Sequence, residues 1–534
     1  MDFSQVDQPD VISIDSDDDS DEVKVEQVVD SIEVDQIEYT PPVDSRNGEG
    51  SAAALRNGNY GEYYNLELEL SPLEQSAPRR YIRIALAMPW VFHMAFEDQQ
   101  QQEVLDRVGD AFFKTIQRWP FLGGSFRQSE TDVGKLQLKY PEDLDMRDLD
   151  TMVRMRFIDM WDCLRLPDLY QLETSSFGRN RFRWGSAPVP ERFMPVLARV
   201  SFARGSVIVG FSFSEVIFDR ESIRNFLDTF IQSTYGGHDN TSLAQDRTLP
   251  VGQTDQANLS LFPCFDWSGC DPERKTPQHA LRSKVFTIDI HKVRALYRVV
   301  QETIYQNETE GVALYEDCFL ALFWVSIMRA RFHNGRFRLE EKAHVFYSVP
   351  GAENTRLPQT LDLDHCGNTT ITAVATCEAM NLIRPPATHE QELRQQIHIE
   401  TVALAAQVLR KTLRGFTGTH LSHLVALKRL MDPIHTNTAH ERALRRHTDC
   451  LAFEDWSCFG TDQAANIPYA QRHKHYFFPC YDDLQEGTVI ILPRTNEYYG
   501  DKNWNVCVCL AQDDMELLIE NLQRDKWWSP SLRQ

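Results

Sequence analysis

Residues 210–219 read GFSFSEVIFD, and this stretch says more about the fold than any other part of the chain. The apolar run 207–211 predicts a strand that ends in a short polar turn closing at Asp219. The helix predicted after it is amphipathic, with apolar residues at helical spacing, namely Ile223, Phe226, Leu227 and Phe230. Such a turn is exposed between two rigid flanks, which is where folds commonly present catalytic side chains. We therefore expect a functional site at this turn.

Both halves of the chain predict a mixture of strands and helices. In the first half, strands are predicted at 68–70, 81–88, 135–140, 196–202 and 206–212, and helices at 104–119 and 221–235. In the second half, strands are predicted at 283–288, 343–349 and 369–377, and helices at 291–305, 313–332 and 390–413. The proline-rich stretch between them, about 236–280, predicts a linker. With 534 residues, 42% of them apolar, the chain can bury two domain-sized cores.

Several segments together resemble one known family, the BAHD acyltransferases of plants and fungi. The turn at 214–220, SEVIFDR, resembles the catalytic turn of that family, whose signature is His-x-x-x-Asp-Gly. Six further segments follow the family order over more than 450 residues: 66–75, 104–126, 313–331, 347–370, 487–510 and 514–522. The nearest branch in these motifs is the fungal trichothecene-acetyltransferase type.

The resemblance implies an α/β fold of two chloramphenicol-acetyltransferase-like lobes, each a mixed sheet with helices, with a channel between them. The expected boundaries are 61–240 for the N-terminal lobe, 241–282 for a crossover linker and 283–534 for the C-terminal lobe. The implied activity is transfer of an acyl group, an acetyl group in the first instance, from acyl-CoA to a hydroxyl or amine of a fungal secondary metabolite. Acyl-CoA is then a co-substrate, and no bound cofactor is expected.

The catalytic turn departs from the family signature at two positions. Glu215 stands where the family has its His, which acts as the general base, and Arg220 stands where it has Gly. A carboxylate with an ordinary pKa of about 4.3 is a weaker base than imidazole unless burial raises that pKa. Asp219 is retained, and the resemblance gives it a structural role with Arg356 as its partner.

Two hypotheses remain open for this turn. In the first, Glu215 or a recruited residue acts as the base of a working acyltransferase. In the second, Glu215 and Arg220 form a local ion pair, and the chain is a catalytically inactive BAHD-fold relative that binds a small molecule or a protein.

Residues 1–60 predict a disordered acidic tail. Residues 1–50 hold sixteen Asp or Glu residues against Lys24 and Arg46, in a chain whose net charge is −23. Within this tail, Val11, Ile12 and Ile14 precede an acidic run and resemble a SUMO-interaction motif, which would bind by strand addition to a sheet edge. The alternative is a solubilising tail with a chance apolar tetrad.

The composition and the sequence patterns also argue against several classes of protein. The acidic balance argues against nucleic-acid binding, which needs phosphate-neutralising Lys and Arg. We read no membrane span, no secretory signal and no cysteine or histidine pattern typical of a metal site. We therefore expect a monomer located in the cytoplasm or the nucleus.

Overall fold

The fold is taken from a computed structural model of the chain. The structure describes residues 66–90, 98–129, 132, 134–142, 153–157, 193–203, 206–236, 258, 261–262, 279–306, 313–349, 365–383, 399–415, 418–430, 449–459, 465–471, 476–479, 484–493 and 503–527. The acidic tail and its Val11, Ile12 and Ile14 therefore lie outside the described residues.

The N-terminal half contributes strands to two sheets. Its strands are β1 (Leu66–Leu68), β2 (Tyr81–Pro89), β3 (Ser125–Gln128), β4 (Leu136–Tyr140), β5 (Val153–Phe157), β6 (Val196–Ala203) and β7 (Ser206–Ser214). Its helices are α1 (Pro72–Gln75), α2 (Asp98–Arg118) and α3 (Arg220–Ser233). A small antiparallel sheet has the order β1-β4-β3. In the larger sheet, β2, β7 and β6 are antiparallel neighbours, and β5 joins β6 in parallel.

The C-terminal half forms a six-stranded mixed sheet in the order β10-β9-β11-β13-β14-β8. The strands in this half of the chain, all of which except β12 belong to this sheet, are β8 (Leu281–Asp289), β9 (Lys342–Val349), β10 (Ile371–Glu378), β11 (Cys450–Asp455), β12 (Tyr476–Pro479), β13 (Thr488–Ile491) and β14 (Asn503–Ala511). Its helices are α4 (Ile290–Gln306), α5 (Tyr315–His333), α6 (Ala379–Leu382), α7 (Ile399–Gly415), α8 (Gly418–Leu430) and α9 (Gln512–Arg524). The predicted α/β class, with two lobes of mixed sheets and helices, is confirmed.

One strand from the second half of the chain lies in the N-terminal sheet. Strand β12 pairs antiparallel with β2, so the five-stranded sheet has the order β12-β2-β7-β6-β5. Just before β12, Ala470 forms an isolated antiparallel bridge with Trp90. Phe459, Ile467 and Phe477 are buried in the N-terminal core. The segment assigned by sequence to the C-terminal lobe thus completes the N-terminal lobe and ties the two lobes together.

The turn after β7 is held by an aromatic core beneath it. Phe213 lies 4.9 Å from Phe218 and 5.2 Å from Phe226, measured between ring centroids. Phe211 packs edge-on against Phe230 at 5.1 Å. All five rings are almost completely buried. Burying such rings stabilises the packing of β7 on α3, and this packing fixes the ends of the turn between them.

The segment 66–75, which resembles the opening motif of the family, has a local structural cause. Ser71 and Glu74 form a reciprocal capping box at the start of α1. The Gln75 side chain then donates to the Leu136 carbonyl at 2.7 Å and accepts from the Leu136 amide at 2.9 Å. This pair of bonds supplies Leu136, at the start of β4, with the partners that another strand would give it.

Candidate functional site

A cavity of about 390 Å³ lies between the turn that follows β7 and the six-stranded sheet. The turn contributes Glu215 and Arg220, and β11 contributes Glu454 and Asp455. Lys428 of α8 also lines the cavity. Its size falls within the range of about 300–1,000 Å³ that is usual for small-molecule sites, which occur preferentially between domains. A cavity is therefore present between the two lobes, where the channel was predicted.

Glu215 faces this cavity, and its carboxylate is held by Arg80. Glu215 Oε1 accepts a hydrogen bond from Arg80 Nε at 2.8 Å, and the two groups form an ion pair. Arg80 lies just before β2, and its main-chain carbonyl also accepts from the Glu215 amide at 3.0 Å. A proton moved onto this carboxylate would have to displace the ion pair with Arg80, so the contact opposes a role for Glu215 as base.

Asp219 is buried and connects the turn to the crossover loop of the other lobe. Its Oδ1 accepts from the Ser222 amide at 2.8 Å, which makes Asp219 the N-cap of α3. Its Oδ2 accepts from the Thr369 amide at 2.9 Å and from the Thr369 hydroxyl at 2.7 Å. These three hydrogen bonds fix the turn to the start of α3 and to Thr369. Arg356, the partner predicted from the resemblance, lies outside the described residues.

The Gly-Asn pair in the crossover loop reaches the same turn. The Asn368 side-chain amide donates to the main-chain carbonyl of Glu215. The Ser222 hydroxyl donates to the Gly367 carbonyl and accepts from the Gly367 amide, both at 3.1 Å. The loop from the C-terminal half therefore fixes the backbone of the turn as well as the start of α3.

Arg220, which replaces the glycine of the family signature, bridges to the other lobe. Its guanidinium lies 3.6 Å from the Asp455 carboxylate and 4.0 Å from that of Glu221. Only 14% of its side chain is exposed, and the cavity beside it still has its volume of about 390 Å³. The arginine therefore forms part of the cavity wall and links α3 to the end of β11.

Glu454 is a second carboxylate of the cavity. Trp456 Nε1 donates to Glu454 Oε2 at 3.0 Å. In the described part of the chain, Glu454 Oε1 accepts no hydrogen bond. Burial raises the pKa of Glu454, while the positive charge of Arg80 and the hydrogen bond from Trp456 act in the opposite direction.

Lys428 brings a positive charge to the other side of the cavity. Its ammonium forms no hydrogen bond or ion pair with any residue that the structure describes. Burial lowers the pKa of Lys428 to about 8. Sequence reasoning passed over this residue, although it follows Leu421, Leu424 and Val425 on the apolar stripe of its helix, a position where lysine is unusual.

Sequence reasoning also missed Arg80 and Glu454. Arg80 directly precedes the predicted strand, and Glu454 directly precedes the Asp455-Trp456-Ser457 stretch, but neither has a motif of its own. Only the pairing of β2 with β7 and the docking of β11 bring these two residues to the turn. No group of three or more His, Cys, Asp or Glu side chains suited to a metal ion occurs among the described residues. Within the same residues, no helix is both long and apolar enough to cross a bilayer.

Comparisons with known proteins agree with this architecture. Residues 186–427 match the family model described as Transferase family. No curated protein sequence matches the chain. TRI101 of F. sporotrichioides, crystallised with coenzyme A and T-2, matches at a TM-score of 0.66 and 13% identity, over 87% of this chain and 99% of that one.

Two further solved structures share the fold. TRI3 trichothecene 15-O-acetyltransferase from Fusarium sporotrichioides matches at a TM-score of 0.53 and 10% identity, over 86% of this chain and 95% of that one. Vinorine synthase matches at a TM-score of 0.53 and 14% identity, over 85% of this chain and 94% of that one. The chain therefore shares the two-lobed fold of TRI101, TRI3 and vinorine synthase, and its residues 186–427 match the Transferase family model.

Proposed function

We propose that this protein transfers an acyl group from acyl-CoA to a hydroxyl or amine of a small molecule in the cavity between its lobes. The observation that carries the proposal is that Glu215, in the position of the family His, lines a cavity of about 390 Å³ between the lobes. We propose acetyl as the acyl group and a fungal secondary metabolite as the acceptor, because the similar structures include trichothecene acetyltransferases.

The reaction needs a positioned thioester, a positioned acceptor and a group that takes the proton of the acceptor. The acceptor oxygen or nitrogen attacks the thioester carbonyl carbon, the new carbon–oxygen or carbon–nitrogen bond forms, and the carbon–sulfur bond breaks. The proton passes through a base of the protein to the departing thiolate, which leaves as CoA thiol. Holding the two reactants together in one cavity supplies a large part of the rate enhancement of such a transfer.

The solved structures suggest which ligands to test first. TRI101 structures contain coenzyme A with T-2, ethyl coenzyme A, and coenzyme A with deoxynivalenol. We propose acyl-CoA as the co-substrate of this chain, with no resident cofactor. T-2 and deoxynivalenol are suitable first acceptors in a wider panel of alcohols and amines.

The first prediction is that purified protein releases CoA thiol from acetyl-CoA only when an acceptor is present. Release is followed with a thiol reagent, and the acylated product is identified by mass spectrometry. Acetyl-CoA at millimolar concentration should also raise the melting temperature, since a ligand that binds only the folded state stabilises it. Absence of thiol release across the panel, together with an unchanged melting temperature, would contradict the proposal.

A second candidate function is a catalytically inactive relative that binds a small molecule or a protein. The ion pair between Glu215 and Arg80 favours it, because this contact occupies the carboxylate at the position of the family base. This candidate predicts a melting-temperature rise with CoA or with a metabolite, but no thiol release and no product. The same two measurements therefore separate it from the enzyme.

The acidic tail gives a further proposal that is independent of the cavity. We propose that Val11, Ile12 and Ile14 bind a SUMO-like protein by strand addition, in a monomer of the cytoplasm or the nucleus. Titrating full-length protein with SUMO, and repeating the titration with all three residues changed to alanine, tests this. Equal binding by both proteins would exclude the tetrad as the binding segment.

A further inference from the structure

Glu454 has features that suit it to the proton transfer for which the family uses a histidine. It lies on β11, in the opposite lobe from the turn, and its side chain lines the same cavity as Glu215. Trp456, two residues further along, fixes one of its oxygens through the hydrogen bond to Oε2 at 3.0 Å. The other oxygen, Oε1, accepts no hydrogen bond from the described residues and is free to accept one from a ligand.

Glu215 and Glu454 differ in the groups that bind their carboxylates. Glu215 Oε1 is paired with Arg80 at 2.8 Å, whereas Glu454 is held by a neutral indole. A neutral donor orients a carboxylate without the strong charge neutralisation that a guanidinium brings. Glu454 therefore combines a fixed position with an oxygen that remains available.

We propose that Glu454 is the general base of this site, so that its Oε1 takes the proton of the acceptor hydroxyl or amine during attack on the thioester. This inference rests on the proposed acyl transfer. The proton moves to Glu454 as the acceptor bonds to the carbonyl carbon, and it then moves to the sulfur as the carbon–sulfur bond breaks. Glu454 is thereby returned to its ionised form, and the reaction yields acylated acceptor and CoA thiol.

The charges around Glu454 support this assignment. The further charged residues that line the cavity are Arg80, which precedes β2, Arg83 of β2, Glu215, Asp219 and Arg220 of the turn, Asp455 of β11, and Lys428 of α8. Burial is the largest influence on Glu454 and raises its pKa, with Arg80 and Trp456 opposing that shift. A raised pKa brings a carboxylic acid closer to the value that suits a general base near neutral pH.

The decisive experiment replaces Glu454 by its uncharged isostere. Glu454→Gln keeps an oxygen that can accept from Trp456, so the fold and acetyl-CoA binding should be retained. We expect its turnover with acetyl-CoA and the acceptor identified for the wild type to fall by about 10²–10⁴-fold, the usual contribution of a positioned acid or base. Glu520→Gln, an exposed change on α9, serves as the control and should match the wild type.

Two further variants distinguish a base from a merely structural residue through the pH profile of kcat/KM. Trp456→Phe removes the donor to Oε2, so the pKa of Glu454 rises and the acid limb of the profile moves to higher pH. Glu215→Gln removes the negative charge that pairs with Arg80, so the positive charge of Arg80 acts more strongly on Glu454 and the acid limb moves to lower pH. Turnover should fall far less than the about 10²–10⁴-fold expected on loss of a base.

The outcomes are distinct. An active wild type with an equally active Glu454→Gln overturns the inference and leaves the proposed function intact. A wild type that releases no thiol with any acceptor overturns both. If Glu454→Gln does not fold, the Trp456→Phe profile decides, and an unshifted acid limb then rejects Glu454 as the base.

Discussion

Asp219→Ala should lower the free energy of unfolding by about 3–5 kcal/mol, because it removes a helix cap and leaves buried donors without an acceptor. The donors that lose their partner are the Ser222 amide, the Thr369 amide and the Thr369 hydroxyl. All three groups belong to buried residues, so water does not readily replace the carboxylate. The melting temperature should fall by several degrees, and turnover should fall with it, because the turn loses its attachment to the crossover loop.

Two matched variants test the reason for this loss. Asp219→Asn keeps one oxygen that can cap α3, but an amide nitrogen, which accepts no hydrogen bond, replaces the oxygen that accepts from both Thr369 groups. We therefore expect the asparagine variant to be destabilised less than the alanine variant. Asp228→Ala, on the same helix, removes a partly exposed contact with Arg224 at 3.7 Å and should cost less than about 1 kcal/mol. Equal melting temperatures for Asp219→Ala and Asp228→Ala would show that the Thr369 bonds contribute nothing measurable.

Lys428→Met should increase the free energy of unfolding at neutral pH. Burial lowers the pKa of Lys428 from 10.5 to about 8, so the charged ammonium is less favourable in the folded chain than in the unfolded chain. The full shift corresponds to a penalty of about 3 kcal/mol, which is an upper bound for a side chain that keeps some exposure. Methionine has a similar length and no charge, so it removes the penalty while filling the same space.

The pH dependence of this effect has a definite sign. Between about pH 8 and pH 10.5 the unfolded chain binds more protons at Lys428 than the folded chain, so the stability of the wild type rises with pH in this window. Below about pH 8 both states are protonated and the penalty is complete. The advantage of Lys428→Met should therefore be largest below this window and should disappear across it.

Urea unfolding of both proteins across that pH range measures the difference directly. Arg429→Met provides the control, since Arg429 is the exposed neighbour of Lys428 on the same helix. An advantage of Lys428→Met that stays constant with pH, or that appears equally in Arg429→Met, would contradict desolvation of Lys428 as its cause.

Most of the large elements could be predicted because their sequences carry a strong local pattern. The strand at 206–212 and the helix at 221–235 correspond to β7 and α3, since alternating and helical apolar spacings act within a few residues. Short elements of the second half, such as β11 and β12, were not predicted. Strand β12 has four residues, and it is a strand only because β2 lies beside it.

The candidate site could be predicted only where a motif marked it. The sequence pointed to the turn and to Glu215, Asp219 and the Gly367-Asn368 pair, because these residues fall in register with a known signature. It could not point to Thr369 as the partner of Asp219, to Arg80 as the counter-ion of Glu215, or to Glu454. The contacts of Arg80 with Glu215 and of Thr369 with Asp219 join residues that are 135 and 150 positions apart, and no periodicity links such distant positions.

By itself, the sequence determined the α/β class, the two-lobed architecture and the place of the turn, because these follow from local periodicity and from motif order along the chain. The tertiary structure alone decided which charges meet in the cavity. It did so because the docking of β11 and α8 against the N-terminal lobe sets the burial of Glu454 and Lys428, and burial sets how readily each group gains or loses a proton.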